Sequence, residues 1–297
     1  MIKNLDDLIE KVKNKEKKKI VVAAAEDLDV IEVVEEALKL KLAEFILVGD
    51  KEIIEKIADD NNKKIFCEII HEPDHKKAAE KAVELVKRGE ADAVMKGLLH
   101  TGTFLKAVLN KEKGLNIGNL VSQISLFDKE SGEGLQLLTD CVMAIQPTLD
   151  EKKKIIENAV VLAHKIGYDK PRVALISALE VVNPTIPDTM EAAILSKMGE
   201  RGQIKNAIID GPFALDNAIS LEAAEHKGIK SEVAGQADIL VVPNLQVGNV
   251  LTKALTYYAH KDVASAVIGV SAPIIMTSRT DSVKNKLLSI ALASYIS

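Results

Sequence analysis

The sequence predicts an α/β fold, a mostly parallel sheet covered by helices on both faces. Three observations predict it. Short runs that are apolar on both faces recur along the chain, as a buried parallel sheet requires. Helical patterns lie between them, which implies βαβ units. The length, 297 residues, leaves room for two domains of about 150 residues, each with its own core.

The elements follow in order. The opening segment, MIKNLDDLIEKVKNKEKKK, sets Leu8, Ile9 and Val12 among lysines from Lys11 to Lys19 and Glu16, so it reads as a solvated amphipathic helix. It has no apolar central region of a secretory signal. Strand-length runs come at Ile20 to Ala25, Glu44 to Asp50 and Ala91 to Gly97, with the helical pattern LDVIEVVEEALKL after the first. From Gly114 to Gly134 the chain is Gly-rich and less helical. The run Val121 to Phe127 lies within that stretch, and strand-like segments up to Cys141 follow it. Pro147, Thr148, Leu149 and Asp150 then open a long helix that stops at Gly167, and an interdomain crossing is expected near Pro147. Later runs are Arg172 to Ala178, Asn206 to Gly211, Ala237 to Pro243, Val263 to Val270 and Ala272 to Ser278, with a final helix after Ser278. No internal repeat or low-complexity linker interrupts the series.

Composition excludes several classes of function. Lys plus Arg number 39 against 44 Asp plus Glu, a net charge of -5, so a basic nucleic-acid surface is not expected. Aromatics are 3% with no Trp, which removes base-stacking platforms. Cys67 and Cys141 lie far apart, outside any disulfide framework or Cys-based zinc spacing, and a reduced, cytoplasmic compartment is the natural reading. No apolar run approaches the roughly 18 residues that span a bilayer, so no membrane partner is expected. There is no G-x-G-x-x-G after a strand, no Walker A loop and no G-x-S-x-G elbow.

Four segments could carry chemistry. In VMKGLLHTGTFLKAVL a strand ends at Lys96 and Gly97, and a helix follows with Thr101, Thr103 and Lys106 in its first turns. Ligands of open α/β sheets sit at the carboxyl ends of strands, and a helix start offers free N–H groups to an anion. The plainer reading is that a threonine caps the helix, Lys106 is solvated and His100 is a loop residue. In APIIMTSRTDSVKNKLL a strand runs into Ser278, Arg279, Thr280 and Asp281. Ser278 with Asp281 fits a variant capping box, and the same geometry makes a second anion site with a guanidinium fork. In ADILVVPNLQVGNVLTKAL, Gly248 permits close backbone approach to a ligand ahead of a helix that contains Lys253; otherwise it is a turn glycine before an N-cap Asn249. In IIDGPFALDNAIS, Asp210 and Asp216 lack a third ligand at fixed spacing and read as turn and cap residues, so no metal is expected.

Taken together, MKGLLHTGTFLKAVLNKEKGL, QPTLDEKKKIIENAV, EVVNPTIPDTMEAAILSKMGERGQIKNAIIDGPFALDNAIS, EVAGQADILVVPNLQVGNVLTKAL and APIIMTSRTDS resemble the phosphate acetyl/butyryltransferase family, most closely its butyryltransferase branch. They run in order from about Ala91 onward; the chain before that matches in pattern only. The resemblance implies two α/β/α domains with a cleft between them, similar to the isocitrate and isopropylmalate dehydrogenases. It places residues 1–147 and 275–297 in the first domain and 148–274 in the second.

The implied activity is reversible direct transfer in a ternary complex: short-chain acyl-CoA plus phosphate gives acyl phosphate plus CoA. Coenzyme A is then a substrate, no cofactor is bound permanently, and the chain is a homo-oligomer, a dimer or larger. By the same resemblance Ser278 and Arg279 are catalytic, Thr101, Thr103 and Lys106 hold phosphate, and Lys96, Gly97, Gly248, Asn249 and Lys253 contact CoA. The family's aspartate base, seven residues after the serine, is Asn285 here, which leaves Asp281 as the nearest substitute. The competing readings are a dehydrogenase of the same fold and a non-catalytic CoA-binding protein.

Overall fold

The computed structural model describes Met1–Ser297. The chain begins with α1 (Leu5–Lys13), β1 (Lys19–Ala23), α2 (Leu28–Lys39), β2 (Glu44–Gly49), α3 (Lys51–Asp60), β3 (Glu68–His71) and α4 (His75–Lys87). It continues through β4 (Ala93–Lys96), α5 (Thr101–Val108), β5 (Ser122–Asp128), β6 (Leu135–Thr139), α6 (Leu149–Lys165), β7 (Arg172–Ile176) and α7 (Pro187–Glu200). It ends with β8 (Ile208–Phe213), α8 (Leu215–Ile219), α9 (Leu221–His226), β9 (Ile239–Val241), α10 (Leu245–Lys253), β10 (Ala264–Ile268), β11 (Ile274–Ile275) and α11 (Val283–Ile296). One π-helical turn, Ala254–Tyr258, extends α10. The α/β class read from the sequence is the observed one.

The chain forms two compact units. The terminal unit is Leu5–Asn119 with Asp262–Ser297, and the central unit is Met1–Asn4 with Leu120–Lys261. The divisions fall earlier than residues 147 and 274, where the sequence reading puts them, because β5 and β6 build the central sheet and β10 builds the terminal one.

In the terminal unit the strand order is β3-β2-β1-β4-β11-β10. All neighbours are parallel except β10 and β11, which are antiparallel, in keeping with the mostly parallel sheet read from the apolar runs. Buried Ile20–Ala23, Phe45–Val48 and Ala93–Met95 form the centre of the core. The helices α2, α3 and α4 each start on an aspartate. Asp27 accepts from the Val30 N–H, Asp50 from Glu52 and Ile53, and Asp74 from Lys76 and Lys77. Helix α11 is buried on nearly every side and packs on α1, α2, β10 and β11, which is why LLSIALAS carries almost no polar face.

In the central unit the order is β5-β6-β9-β7-β8, with β5 and β6 antiparallel and the rest parallel. Thr148 and Glu151 close a full capping box on α6, and Gly167, at φ 103, lies just past its end. Buried Asp238 accepts from Arg172 and pairs with Lys129, tying the end of β5 to β7 and β9. Burial alone would raise the Asp238 carboxyl, but the bonds from Arg172 and Lys129 outweigh it and hold it below the usual carboxylate range. No helix is long and apolar enough to cross a membrane.

Candidate active site

The order β3-β2-β1-β4 reverses direction between β1 and β4, the switch point where open α/β sheets bind ligands. The backbone is tightly built there. Ala24 adopts φ 56, an uncommon conformation for a non-glycine residue. The Gly97 N–H donates to the Ala23 carbonyl at 2.9 Å and the Leu98 N–H to the Ala24 carbonyl at 2.6 Å. A Cβ on Gly97 would lie 2.1 Å from the Ala24 carbonyl oxygen, so only glycine fits.

This arrangement fixes Lys96. Its Nζ donates to the carbonyls of Gly97 at 3.1 Å and Leu99 at 3.2 Å. Burial lowers its pKa below the ordinary lysine value, and the Arg279 charge lowers it further against the opposing pull of Asp27. Lys96 lines a pocket together with Asp27, Asp29, Ser278, Arg279 and Lys286. Ser278 and Arg279 lie just beyond β11, which pairs in parallel with β4.

Beyond β11 the structure differs from the sequence reading. Residues 278–281 form a turn, not the first turn of a helix. The Ser278 N–H donates to the Asp281 carboxylate at 2.7 Å, the Asp281 N–H donates to the Ser278 carbonyl at 3.2 Å, and the two hydroxyls of Ser278 and Thr280 lie 3.0 Å apart. Helix α11 starts only at Val283, with Ser282 as its cap. Asn285 lies inside it, buried, with its side-chain oxygen accepting the Val263 N–H at 3.1 Å. Lys286 reaches back to Asp29 at 3.3 Å and joins α11 to α2.

The other expected residues fall elsewhere. His100 occupies the N-cap position of α5 without a side-chain bond, so neither Thr101 nor Thr103 is the cap; they stand at the first and third helical positions. Thr101 and Lys106 are exposed. Thr103 and Lys106 line a groove between α4 and α5, with Lys76, Lys81, Arg88 and Glu84 among its charges, and not the pocket that holds Ser278 and Arg279.

Gly248, Asn249 and Lys253 belong to the central unit, inside α10. Helix α10 is capped by Asn244, whose side chain accepts the Val247 N–H at 3.0 Å, and not by Asn249. Gly248 is therefore no turn glycine. It is buried, and a Cβ there would lie 2.6 Å from the Asp140 carbonyl oxygen. Asn249 approaches the Cys141 carbonyl at 3.5 Å, and Lys253 is exposed beside Tyr257. Asp210 lies inside β8 and accepts from Ser196 and the Gly211 N–H, and Asp216 lies in the first turn of α8, where it pairs with Lys227, so neither holds the turn or cap position expected of it.

Sequence reasoning missed Asp27, Asp29 and Lys286 as pocket residues. The signal for Asp27 was present, an aspartate between a buried strand and a helix. Lys286 carried none, since its partner is 257 positions away.

Comparison with known proteins places the chain. A phosphate acetyl/butaryl transferase family model matches residues 4–80 and 52–294. The phosphate butyryltransferase of Clostridium acetobutylicum is 50% identical over 301 residues, covering 100% of this chain and 99% of that protein. The phosphate acetyltransferase of Thermotoga maritima is 43% identical, covering 98% of each. The crystal structure of a branched-chain phosphotransacylase from Enterococcus faecalis superposes with a TM-score of 0.85 at 32% identity, covering 94% of this chain and 98% of that one. With matches that run from one end of the sequence to the other, this chain belongs to the phosphate acetyl/butaryl transferase family and is a phosphate acyltransferase.

Proposed function

We propose that the chain interconverts short-chain acyl-CoA plus inorganic phosphate with acyl phosphate plus free CoA, by direct transfer while both substrates are bound. The observation that carries this reading is the meeting of Ser278, Arg279 and Lys96 in one pocket at the sheet's switch point. Family membership supplies the reaction class.

In the CoA-acylating direction the thiol sulfur attacks the carbonyl carbon of the acyl phosphate. The carbonyl oxygen becomes an oxyanion, and the bond from carbon to the phosphate oxygen then breaks. A free thiol has a pKa of about 8.5, so only a small fraction is thiolate at neutral pH, and electropositive surroundings raise that fraction. Arg279 supplies a cationic group in the pocket that Lys96 also lines. The Arg279 fork suits the oxyanion or a phosphate oxygen, and the Ser278 hydroxyl offers a third donor. No acyl-enzyme is needed, because holding both reactants together supplies the acceleration that a covalent relay otherwise gives.

The remaining roles are parts of the same proposal. Thr101, Thr103 and Lys106 draw phosphate to α5, and Lys96 and Gly97 contact CoA. Gly248 lets α10 pack closely on Asp140 and Cys141. Asp281 orders the turn that carries Ser278. Coenzyme A acts as a substrate, and the enzyme works in the cytoplasm as a homo-oligomer. The test is a panel of straight and branched short acyl-CoAs with phosphate, followed by free thiol. Phosphate-dependent release supports the reading, whereas CoA binding without turnover, or turnover that requires NAD, replaces it with a binding protein or a dehydrogenase.

A further inference from the structure

We propose that Lys96 is the proton-transfer residue of this reaction, taking the proton from the CoA thiol and delivering it to the departing phosphate. The proposal rests on the acyl transfer argued above and names the group that the Asn285 position does not provide.

The alternatives in and near the pocket are committed. Asn285 is an amide, buried, and its oxygen accepts the Val263 N–H. The Asp281 carboxylate accepts the Ser278 N–H at 2.7 Å. Asp27 accepts the Val30 N–H and caps α2. Asp29 pairs with Lys286, which is itself buried. The guanidinium of Arg279 offers donors and no acceptor.

Lys96 differs from these groups in its geometry. Two of its Nζ positions point to the carbonyls of Gly97 and Leu99. A neutral amine has two N–H donors and one lone pair, so both carbonyls stay satisfied when the third position loses its proton. That third position carries a proton in the ammonium form and a lone pair in the amine, and Lys96 lines the pocket with Ser278 and Arg279. Burial and the Arg279 charge favour the amine, while Asp27 opposes them. The other charged groups of the pocket, Asp29 and Lys286, neutralise each other.

The proton balance closes. The amine takes the thiol proton as sulfur bonds to the acyl carbon, giving a tetrahedral intermediate and an ammonium. As the carbon–oxygen bond breaks, the ammonium returns that proton to the phosphate oxygen, so the phosphate leaves as the monohydrogen dianion and the amine is regenerated. The reverse reaction uses the same two steps in the opposite order.

The test compares the wild-type enzyme with Lys96→Met, Lys96→Arg and Lys96→Ala, reading thiol release against pH together with melting temperature. Expected are a fall in kcat of about 10²–10⁴ for Lys96→Met and Lys96→Arg, loss of the wild-type rise in rate with pH, a Michaelis constant for acyl-CoA changed only a few-fold, and recovery of Lys96→Ala by added ethylamine. A Lys96→Arg enzyme with the wild-type rate and pH profile makes Lys96 a fixed cation and overturns the proposal. Losses that follow melting temperature without amine rescue make it structural and overturn it too. In either case an active wild-type enzyme leaves the acyl-transfer reading standing, whereas a wild-type enzyme that releases no thiol overturns both.

Discussion

The backbone N–H of Ser278 donates to the carboxylate of Asp281 across a 2.7 Å hydrogen bond, one turn before α11 begins. The bond fixes where Ser278 and Arg279 leave β11, and it occupies the carboxylate that sequence reasoning left as a candidate base. Asp281→Asn keeps an acceptor oxygen for that N–H, so its melting temperature and turnover stay near the parent values. Asp281→Ala loses the acceptor and about 0.5–2 kcal/mol of stability, by comparison with lost caps. Thermal unfolding and steady-state rates of the two variants check this; a hundredfold loss of turnover in a stable Asp281→Asn enzyme would show that the carboxylate reacts.

Arg279 is exposed at the pocket and carries no core packing, so its removal acts on rate. Arg279→Ala lowers kcat by about 10²–10³, as loss of an oxyanion donor does, with little change in melting. It also moves the pH profile. Arg279 lowers the Lys96 pKa by like-charge repulsion, so without it the Lys96 pKa rises. A rate that needs the amine form then climbs at higher pH than in the parent enzyme. Rate profiles across alkaline pH for both enzymes read this shift directly.

Lys106 lines the groove between α4 and α5 with Thr103. If these residues hold phosphate, Lys106→Ala raises the Michaelis constant for phosphate well above any change for acyl-CoA. Initial rates with each substrate varied in turn separate the two constants, and an unchanged phosphate constant returns Lys106 to the solvated surface.

Gly97 is the point where the strand end and the loop after it meet the Ala24 carbonyl. Gly97→Ala places a methyl group 2.1 Å from that oxygen, and backbone cannot yield there as a flexible side chain can. The variant loses about 3 kcal/mol, at the upper end for overpacking, and turnover falls with it because Lys96 is the neighbouring residue. Chemical denaturation of Gly97→Ala beside the parent protein measures the loss.

The strands were the most legible part of the chain. Runs such as Ile20–Ala23 and Ala93–Met95 are buried on both faces, and such burial writes itself into sequence as continuous apolar residues. The edge strand β3 was missed, since EIIH is only half buried and four residues long. The start of α10 was misread because Gly248 looks like a helix breaker. Its cost in propensity is overridden by the close packing on Asp140 that only glycine allows. In the site, Lys96 could be found because it ends a strand, and Ser278 and Arg279 because they follow one. Asp29 and Lys286 could not, since their pairing depends on how α11 packs on α2 and no local pattern encodes it.

The most direct measurement of the central claim is thiol release from butyryl-CoA by the purified protein, with phosphate present or withheld and no metal added. The account predicts release of CoA that saturates with phosphate, with acyl phosphate formed in equal amount. Folded protein that releases no CoA from butyryl-CoA or from any other short straight or branched acyl-CoA in the presence of phosphate would contradict it.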